Sequence, residues 1–204
     1  MCIRDSVYPD YEAIVYKERK YSWKQVYDRC TRFASALTKV GIGKGDVVSI
    51  MAANTPELFE AHYSVPMTGG VVNTINTRLD TRTVAYILDH SDCKVFIVDR
   101  QFHNVAIDAI AQVNREIIVI DIDDKQAGLG DIPSIGKLEY ESFLQTGDEG
   151  FEWIRPDDEW QAISLNYTSG TTGNPKGVVY HHRGSYLMSM GSITAWNMPN
   201  RLTY

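Results

Sequence analysis

The sequence predicts an α/β fold in which a doubly wound, mostly parallel sheet is flanked by helices. The first observation is the segment 47–52, which is nearly all apolar, as expected of a strand buried on both faces. The second is the repeated alternation of such strands with amphipathic helices, which favours parallel strands joined by crossovers. The third is the composition of the 204 residues, 44% hydrophobic and 23% charged, which is ordinary for a globular chain.

A hairpin and a long helix are predicted ahead of the first buried strand. The hairpin joins residues 13–16 to residues 20–22. Ser22 is placed to cap the helix that follows, and Gln25 completes a capping box. Apolar residues then recur at helical spacing until Gly41, which ends the helix.

The rest of the chain continues the same alternation. Further helices are predicted over residues 56–63, 80–91, 102–113, 138–144 and 184–196. Further strands are predicted over residues 71–73, 94–99, 116–121, 161–166 and 177–180. Residues 122–137 form a polar loop, and the acidic residues 148–158 form an irregular crossover.

Charge and hydropathy exclude several classes of protein. The net charge is −6 and the basic residues are scattered, so no nucleic-acid-binding patch is expected. No apolar run approaches the ~20 residues that a membrane span needs, and the N-terminus has no apolar signal-peptide core. The three cysteines, Cys2, Cys30 and Cys93, lack metal-binding spacing and predict reduced thiols in a cytoplasmic protein.

Hydroxyl groups, glycines and one lysine are concentrated between the last two predicted strands. Four hydroxyl side chains can each donate a hydrogen bond to a phosphate oxygen: Thr168, Ser169, Thr171 and Thr172. Gly170 and Gly173 allow the backbone to turn through positive φ and to direct N–H groups at an anion. Lys176 adds a positive charge at the far end of the loop. We therefore predict that this loop, residues 168–176 (the phosphate loop), binds a polyphosphate.

The phosphate loop differs from a Walker A loop in two respects. Pro175 stands where that motif has its second glycine, and Gly177 stands where it has a magnesium-binding hydroxyl. The segment 177–180 contains two β-branched valines and a tyrosine and predicts a strand, whereas a Walker lysine begins a helix. The sequence therefore predicts a strand–loop–strand arrangement.

These residues resemble the phosphate-binding signature of the adenylate-forming (AMP-binding) superfamily, which includes acyl-CoA synthetases, firefly-type luciferases and the adenylation domains of peptide synthetases. The resemblance extends upstream in the order that the family shows, through segments 21–23, 45–48, 54–57 and 73–76. It covers nearly all of the chain from about Val7. Residues 180–184 are similar to acyl-CoA ligases for short- and medium-chain acids, including methylmercaptopropionate-CoA ligases.

The resemblance implies a two-step reaction. A carboxylic acid attacks the α-phosphorus of ATP to give an acyl-adenylate, and the thiol of coenzyme A then displaces AMP. The phosphate loop would hold the β- and γ-phosphates, through Thr168, Ser169, Gly170, Thr171, Thr172, Gly173 and Lys176. Thr168 matches the threonine that the family uses near Mg²⁺, and Lys176 would offset charge as pyrophosphate leaves.

The resemblance also implies that much of the machinery lies outside these residues. The family places its magnesium-binding glutamate and a mobile C-terminal domain with a lysine after the phosphate loop. Residues 7–204 are therefore expected to be an incomplete N-terminal AMP-binding domain, with the C-terminal domain absent, no catalytic residue and no activity of its own. Residues 1–6 resemble a translated sequencing adapter and are expected not to belong to the natural chain.

Three alternatives to an acyl-CoA ligase remain open. The chain could belong to an adenylation domain that loads a carrier protein, and only Thr171-Thr172 leans mildly against this. It could instead be a truncated, non-catalytic nucleotide-binding module. An NAD-dependent oxidoreductase is the most distant alternative, because no glycine fingerprint follows a predicted strand.

Three further expectations concern the surface. His181 and His182 point in different directions, so they are expected to be one buried and one exposed histidine, with a role in the nucleotide or acyl pocket left open. The acidic residues Asp121, Asp123 and Asp124 are expected to form a solvated loop. An open sheet edge and the last helix are expected to leave apolar surface exposed.

Overall fold

The structure, a computed structural model, describes residues 2–168 and 173–199 of the chain. The helices are α1 Cys2–Val7, α2 Trp23–Lys39, α3 Pro56–Met67, α4 Thr81–His90, α5 His103–Ile110, α6 Tyr140–Leu144 and α7 His182–Ala195. The strands are β1 Glu12–Tyr16, β2 Arg19–Ser22, β3 Val47–Met51, β4 Val71–Thr74, β5 Cys93–Asp99, β6 Ile118–Ile122, β7 Leu138–Glu139, β8 Ala162–Thr168 and β9 Lys176–His181.

The main sheet is mostly parallel, as the sequence predicts. Strands β1 and β2 form a separate antiparallel hairpin, and the other seven strands form one sheet in the order β7-β6-β5-β3-β4-β8-β9. Every neighbouring pair in that sheet is parallel except β8 and β9, which are antiparallel. Parallel strands end at the same edge of a sheet, so the carboxyl ends of β4 and β8 lie side by side.

Alternate side chains of the central strands enter two separate cores. In β5, Val95 and Ile97 pack on the face covered by α2, α3 and α6, while Phe96 and Val98 pack on the face covered by α4 and α5. Both faces are therefore buried, which explains why these strands are almost continuously apolar. The doubly wound α/β prediction is confirmed.

The predicted start of helix α2 is confirmed in atomic detail. The Gln25 backbone N–H donates to Ser22 Oγ at 3.3 Å, and the Ser22 backbone N–H donates to Gln25 Oε1 at 2.8 Å. This reciprocal pair satisfies two N–H groups that the first helical turn cannot bond.

The predicted helix over residues 138–144 is wrong in its first two residues. Leu138 and Glu139 form the short strand β7, which pairs in parallel with β6, and the helix begins at Tyr140. Glu139 has extended backbone and its carboxylate accepts bonds from the Glu141 and Ser142 N–H groups, so it caps α6. Pairing with a distant strand therefore overrides the local helical pattern.

The expectation of a solvated acidic loop is wrong for Asp121. Its side chain is buried and accepts hydrogen bonds from the backbone N–H groups of Ile135 and Gly136, at 2.9 and 2.8 Å. Arg100 completes the arrangement through ion pairs with Asp121 and with Asp123. The long loop after β6 is therefore tied back to the sheet.

Two further findings concern the N-terminal segment and the length of the helices. Helix α1 spans most of the segment that resembles a translated adapter, and the origin of that segment stays a prediction. Within the described ranges, no helix is long and apolar enough to cross a membrane.

Candidate functional site

The two ends of the phosphate loop lie directly opposite each other. In the antiparallel pair β8–β9, Thr168 is the register partner of Lys176. Both side chains are exposed, at the edge where β4 and β8 end. Ligands of open α/β sheets bind at the carboxyl ends of the strands, so the loop stands where such a ligand is expected. The predicted strand–loop–strand arrangement is observed.

Four predicted phosphate-binding residues, Ser169, Gly170, Thr171 and Thr172, lie outside the described residues. Of the predicted set, the structure describes Thr168, Gly173 and Lys176, and brings the first and last together.

Gly173 does not have the positive φ that the sequence predicts. Its φ lies outside the left-handed region, and an added Cβ would meet no atom within 4 Å. The residue lies in an exposed bend that leads into β9.

Gly177, the last residue of the signature, is packed closely. An added Cβ would lie 3.0 Å from Leu165 Cδ1 and 3.4 Å from Tyr167 Cζ. Leu165 and Tyr167 are alternate residues of β8, so both project from one face and cover Gly177 on the neighbouring strand. The absence of a side chain at this position lets the tyrosine ring lie across β9.

Tyr167 is also joined to helix α4. Its hydroxyl oxygen lies 2.7 Å from His90 Nδ1, and the two rings meet edge to face with centroids 5.8 Å apart. Burial, with smaller effects from Tyr86 and Asp92, raises the pKa of Tyr167 to about 12. The phenol therefore keeps its proton at neutral pH and can donate a hydrogen bond to Nδ1 in the tautomer that leaves that nitrogen without hydrogen.

A small cavity lies beside the phosphate loop. Its volume is about 250 Å³, and it is lined by Thr74, Ile75, Asn76, Leu79, Ile87, Asn166 and Tyr167. The Thr74 hydroxyl donates to Asn166 Oδ1 at 2.9 Å, joining the ends of β4 and β8. A partly apolar lining with amide and hydroxyl groups suits a small organic ligand.

The metal role predicted for Thr168 concerns an exposed hydroxyl at the end of β8. Among the residues that the structure describes, no group of three or more histidine, cysteine, aspartate or glutamate side chains could hold a metal ion. A hydroxyl that shares Mg²⁺ with phosphate oxygens and water is a different arrangement, because Mg²⁺ keeps several waters and needs few protein ligands. The exposed hydroxyl of Thr168 fits that second arrangement.

The adjacent histidines differ from their prediction, since both are half-buried. His181 caps helix α7, where its Nδ1 accepts from the Gly184 N–H at 3.0 Å. Burial lowers the pKa of His182. The helix cap explains His181 without a ligand.

Sequence reasoning missed His90, Tyr86, Thr74 and Asn166. Nothing local marks His90, because its partner Tyr167 is remote in the sequence. Asn166 and Tyr167 could have been noticed, since they precede Thr168 on a strand that ends at the ligand-binding edge.

A family model and individual relatives both match nearly the whole of this chain. The family model described as AMP-binding enzyme matches residues 4–203. An Arabidopsis thaliana peroxisomal acetate/butyrate–CoA ligase is 43% identical over 97% of this chain and 37% of its own length. A Humulus lupulus acetate–CoA ligase is 41% identical over 98% of this chain and 37% of its own length. The chain thus spans little more than a third of these relatives.

Solved structures show the same fold. An anthranilate–CoA ligase in complex with anthranoyl-AMP superposes with a TM-score of 0.82 at 23% identity, over 92% of this chain and 35% of that one. A long-chain-fatty-acid–CoA ligase from Archaeoglobus fulgidus superposes with a TM-score of 0.83 at 15% identity, over 98% of this chain and 39% of that one.

Proposed function

The chain belongs to the AMP-binding enzyme family, and we propose that it is part of an ATP-dependent acid–thiol ligase that joins a carboxylic acid to coenzyme A. The observation that carries the proposal is the pairing of Thr168 with Lys176, which holds both ends of the signature at the carboxyl edge of the sheet. The names of relatives at 37–43% identity, which are acyl-activating enzymes and CoA ligases, support the reaction class.

The phosphate loop is the proposed ATP site. ATP supplies the adenylyl group and pyrophosphate as the leaving group. Lys176 places an ammonium group where negative charge accumulates on the leaving group, and Thr168 offers its hydroxyl to Mg²⁺ or to a phosphate oxygen. Ser169, Gly170, Thr171, Thr172 and Gly173 are proposed to complete the loop with hydroxyl and backbone N–H donors. The exposed cation and hydroxyl at one edge fit a polyphosphate.

The proposed substrate is a short- or medium-chain carboxylic acid. The relatives are named for acetate, butyrate, 2-methylpropanoate and benzoate, all of them small acids. The cytoplasm is the proposed compartment, because Cys30 and Cys93 are free and buried, as in a reducing environment. A peroxisome is the alternative, since two of these relatives carry that location in their names.

The test begins with the source DNA on both sides of this reading frame. We expect the frame to continue into a Gly-x-Thr-Glu motif and a late lysine. The protein that it encodes is then supplied with ATP, Mg²⁺, coenzyme A and a panel of acids from acetate to benzoate. Acid-dependent release of pyrophosphate and formation of acyl-CoA are expected.

The Lys176→Ala variant of that protein is the matched control, and we expect it to lose most of the activity. Transfer to a carrier protein instead of coenzyme A would favour the adenylation-domain alternative. ATP binding without turnover would favour the non-catalytic module.

The 204-residue chain is proposed to be inactive alone, as an incomplete AMP-binding domain over residues 7–204. Acid-dependent pyrophosphate release by the purified chain, above its own Lys176→Ala control, would contradict this.

A further inference from the structure

Tyr167 lies at the base of the phosphate loop and is fixed on two sides. It is the residue before Thr168 in β8, and its half-buried ring lies across Gly177 of β9. Its hydroxyl reaches a different element, the last residue of α4, where it lies 2.7 Å from His90 Nδ1. One side chain therefore joins both strands of the phosphate loop to a helix on one face of the sheet.

His90 is itself held in place. Its ring stacks on Tyr86, with centroids 5.1 Å apart and an angle of 25° between the planes. Helix α4 is anchored by Val84, Ile87 and Leu88, which are buried against the sheet. The His90 side chain is exposed, and the packed helix and the stacked Tyr86 ring orient it toward Tyr167 at the end of β8.

We infer that Tyr167 and His90 act as a positioning pair that fixes the paired ends of the phosphate loop, Thr168 and Lys176, for ATP. The inference rests on the proposed function. Neither side chain is assigned a contact with substrate, and both act through Thr168 and its strand partner Lys176. A small misplacement of a binding group lowers the rate of a reaction that depends on orientation, so loss of this bond is expected to weaken the use of ATP selectively.

The test uses the whole protein encoded by the source DNA. We expect Tyr167→Phe, which removes only the hydroxyl, to raise the KM for ATP about three- to tenfold, the range for a lost neutral hydrogen bond. The KM values for the acid and for coenzyme A should stay unchanged. His90→Ala should have the same effect, and the double variant should be no worse than either single variant, because both remove one interaction.

Two further variants separate positioning from stability. His90→Asn keeps an acceptor near the position of Nδ1 and should restore the KM for ATP to within about twofold of wild type. Tyr16→Phe is the matched control, since the Tyr16 hydroxyl donates to Asp124 at 2.5 Å and its pKa is likewise raised to about 12, mainly by burial. It should leave the KM for ATP unchanged.

The outcomes are distinct. A wild-type protein that neither binds ATP nor turns over any acid overturns the proposed function and this inference with it. A wild-type enzyme whose KM for ATP is insensitive to Tyr167→Phe overturns only the positioning role. The positioning role is also overturned if the effects of Tyr167→Phe and His90→Ala on the KM for ATP add in the double variant. It is overturned as well if His90→Asn behaves like His90→Ala, or if Tyr16→Phe raises the KM for ATP as much as Tyr167→Phe does.

Discussion

At the scale of single residues, Gly177 is a site where packing decides which side chain fits. Alanine in a strand is favoured over glycine by about 0.5–1 kcal/mol of backbone entropy. The added methyl group would press on Leu165 and Tyr167 at 3.0 and 3.4 Å, and over-packing of this kind costs about 1–3 kcal/mol. The packing cost is the larger of the two.

Gly177→Ala is therefore expected to destabilise the protein by about 1 kcal/mol and to raise the KM for ATP, because it displaces the Tyr167 ring. Urea unfolding and steady-state kinetics measure the two effects. Gly150→Ala is the control, since Gly150 is exposed and an added Cβ would meet nothing within 4 Å. Equal behaviour of the two variants would show that the contact at Gly177 is unimportant.

At the scale of elements, three helices are joined by one guanidinium group. Arg29 of α2 bonds Glu60 of α3 through Nε at 2.5 Å and Nη2 at 3.2 Å, and bonds Glu141 of α6 through both terminal nitrogens. Tyr140 donates a further bond to Glu60, which is completely buried. Burial raises the pKa of the Glu60 carboxyl, and the charge of Arg29 opposes that rise.

Removal of Arg29 would leave the Glu60 carboxylate buried without its cation. We expect Arg29→Met to lower the free energy of unfolding by about 3–5 kcal/mol. Lys24→Met on the same helix is the control, because the Lys24–Asp28 pair is largely exposed, at 62% and 43%, and should leave stability nearly unchanged. Similar midpoints of urea unfolding for the two variants would contradict this account.

The elements also show how far the sequence could predict the structure. Most helices and strands fall close to their predicted positions, because hydrophobic periodicity and the Ser22 capping box are local signals. Strand β7 was missed because two residues carry too little pattern, and only the edge of β6 makes them a strand. The burial of Asp121 was missed because its partners, the N–H groups of residues 135 and 136, come from a loop without regular pattern.

At the scale of the whole molecule, β9 and α7 form an exposed apolar surface. No residue of α7 is buried. The large apolar side chains exposed on these two elements are Val178, Val179, Tyr180, Tyr186, Leu187, Met188, Met190 and Ile193, and the exposed Trp196 directly follows α7. The expected exposure of apolar surface at the sheet edge and the last helix is confirmed. Large apolar patches and open strand edges promote association.

The 204-residue chain is therefore expected to self-associate and to bind a hydrophobic dye. Val179→Lys, which places a charge on the edge strand, should reduce both signals in light scattering and dye fluorescence. Val15→Lys is the control, since Val15 is similarly exposed, 58% against 62%, but lies on the separate hairpin. A monomer that melts in one sharp transition would contradict the expectation.

The sequence by itself determined the α/β class, the order of most elements and the family signature between β8 and β9. These depend on periodicity, turn residues and a contiguous motif, all of which are local properties of the chain. Tertiary structure alone decided the register that sets Thr168 opposite Lys176, the bond from Tyr167 to His90, and the Arg29 network. Each of these joins residues that are remote in sequence, and partner choice and burial depend on which other segments pack nearby. Local patterns therefore predict what a segment becomes, while the assembled sheet decides what its side chains contact.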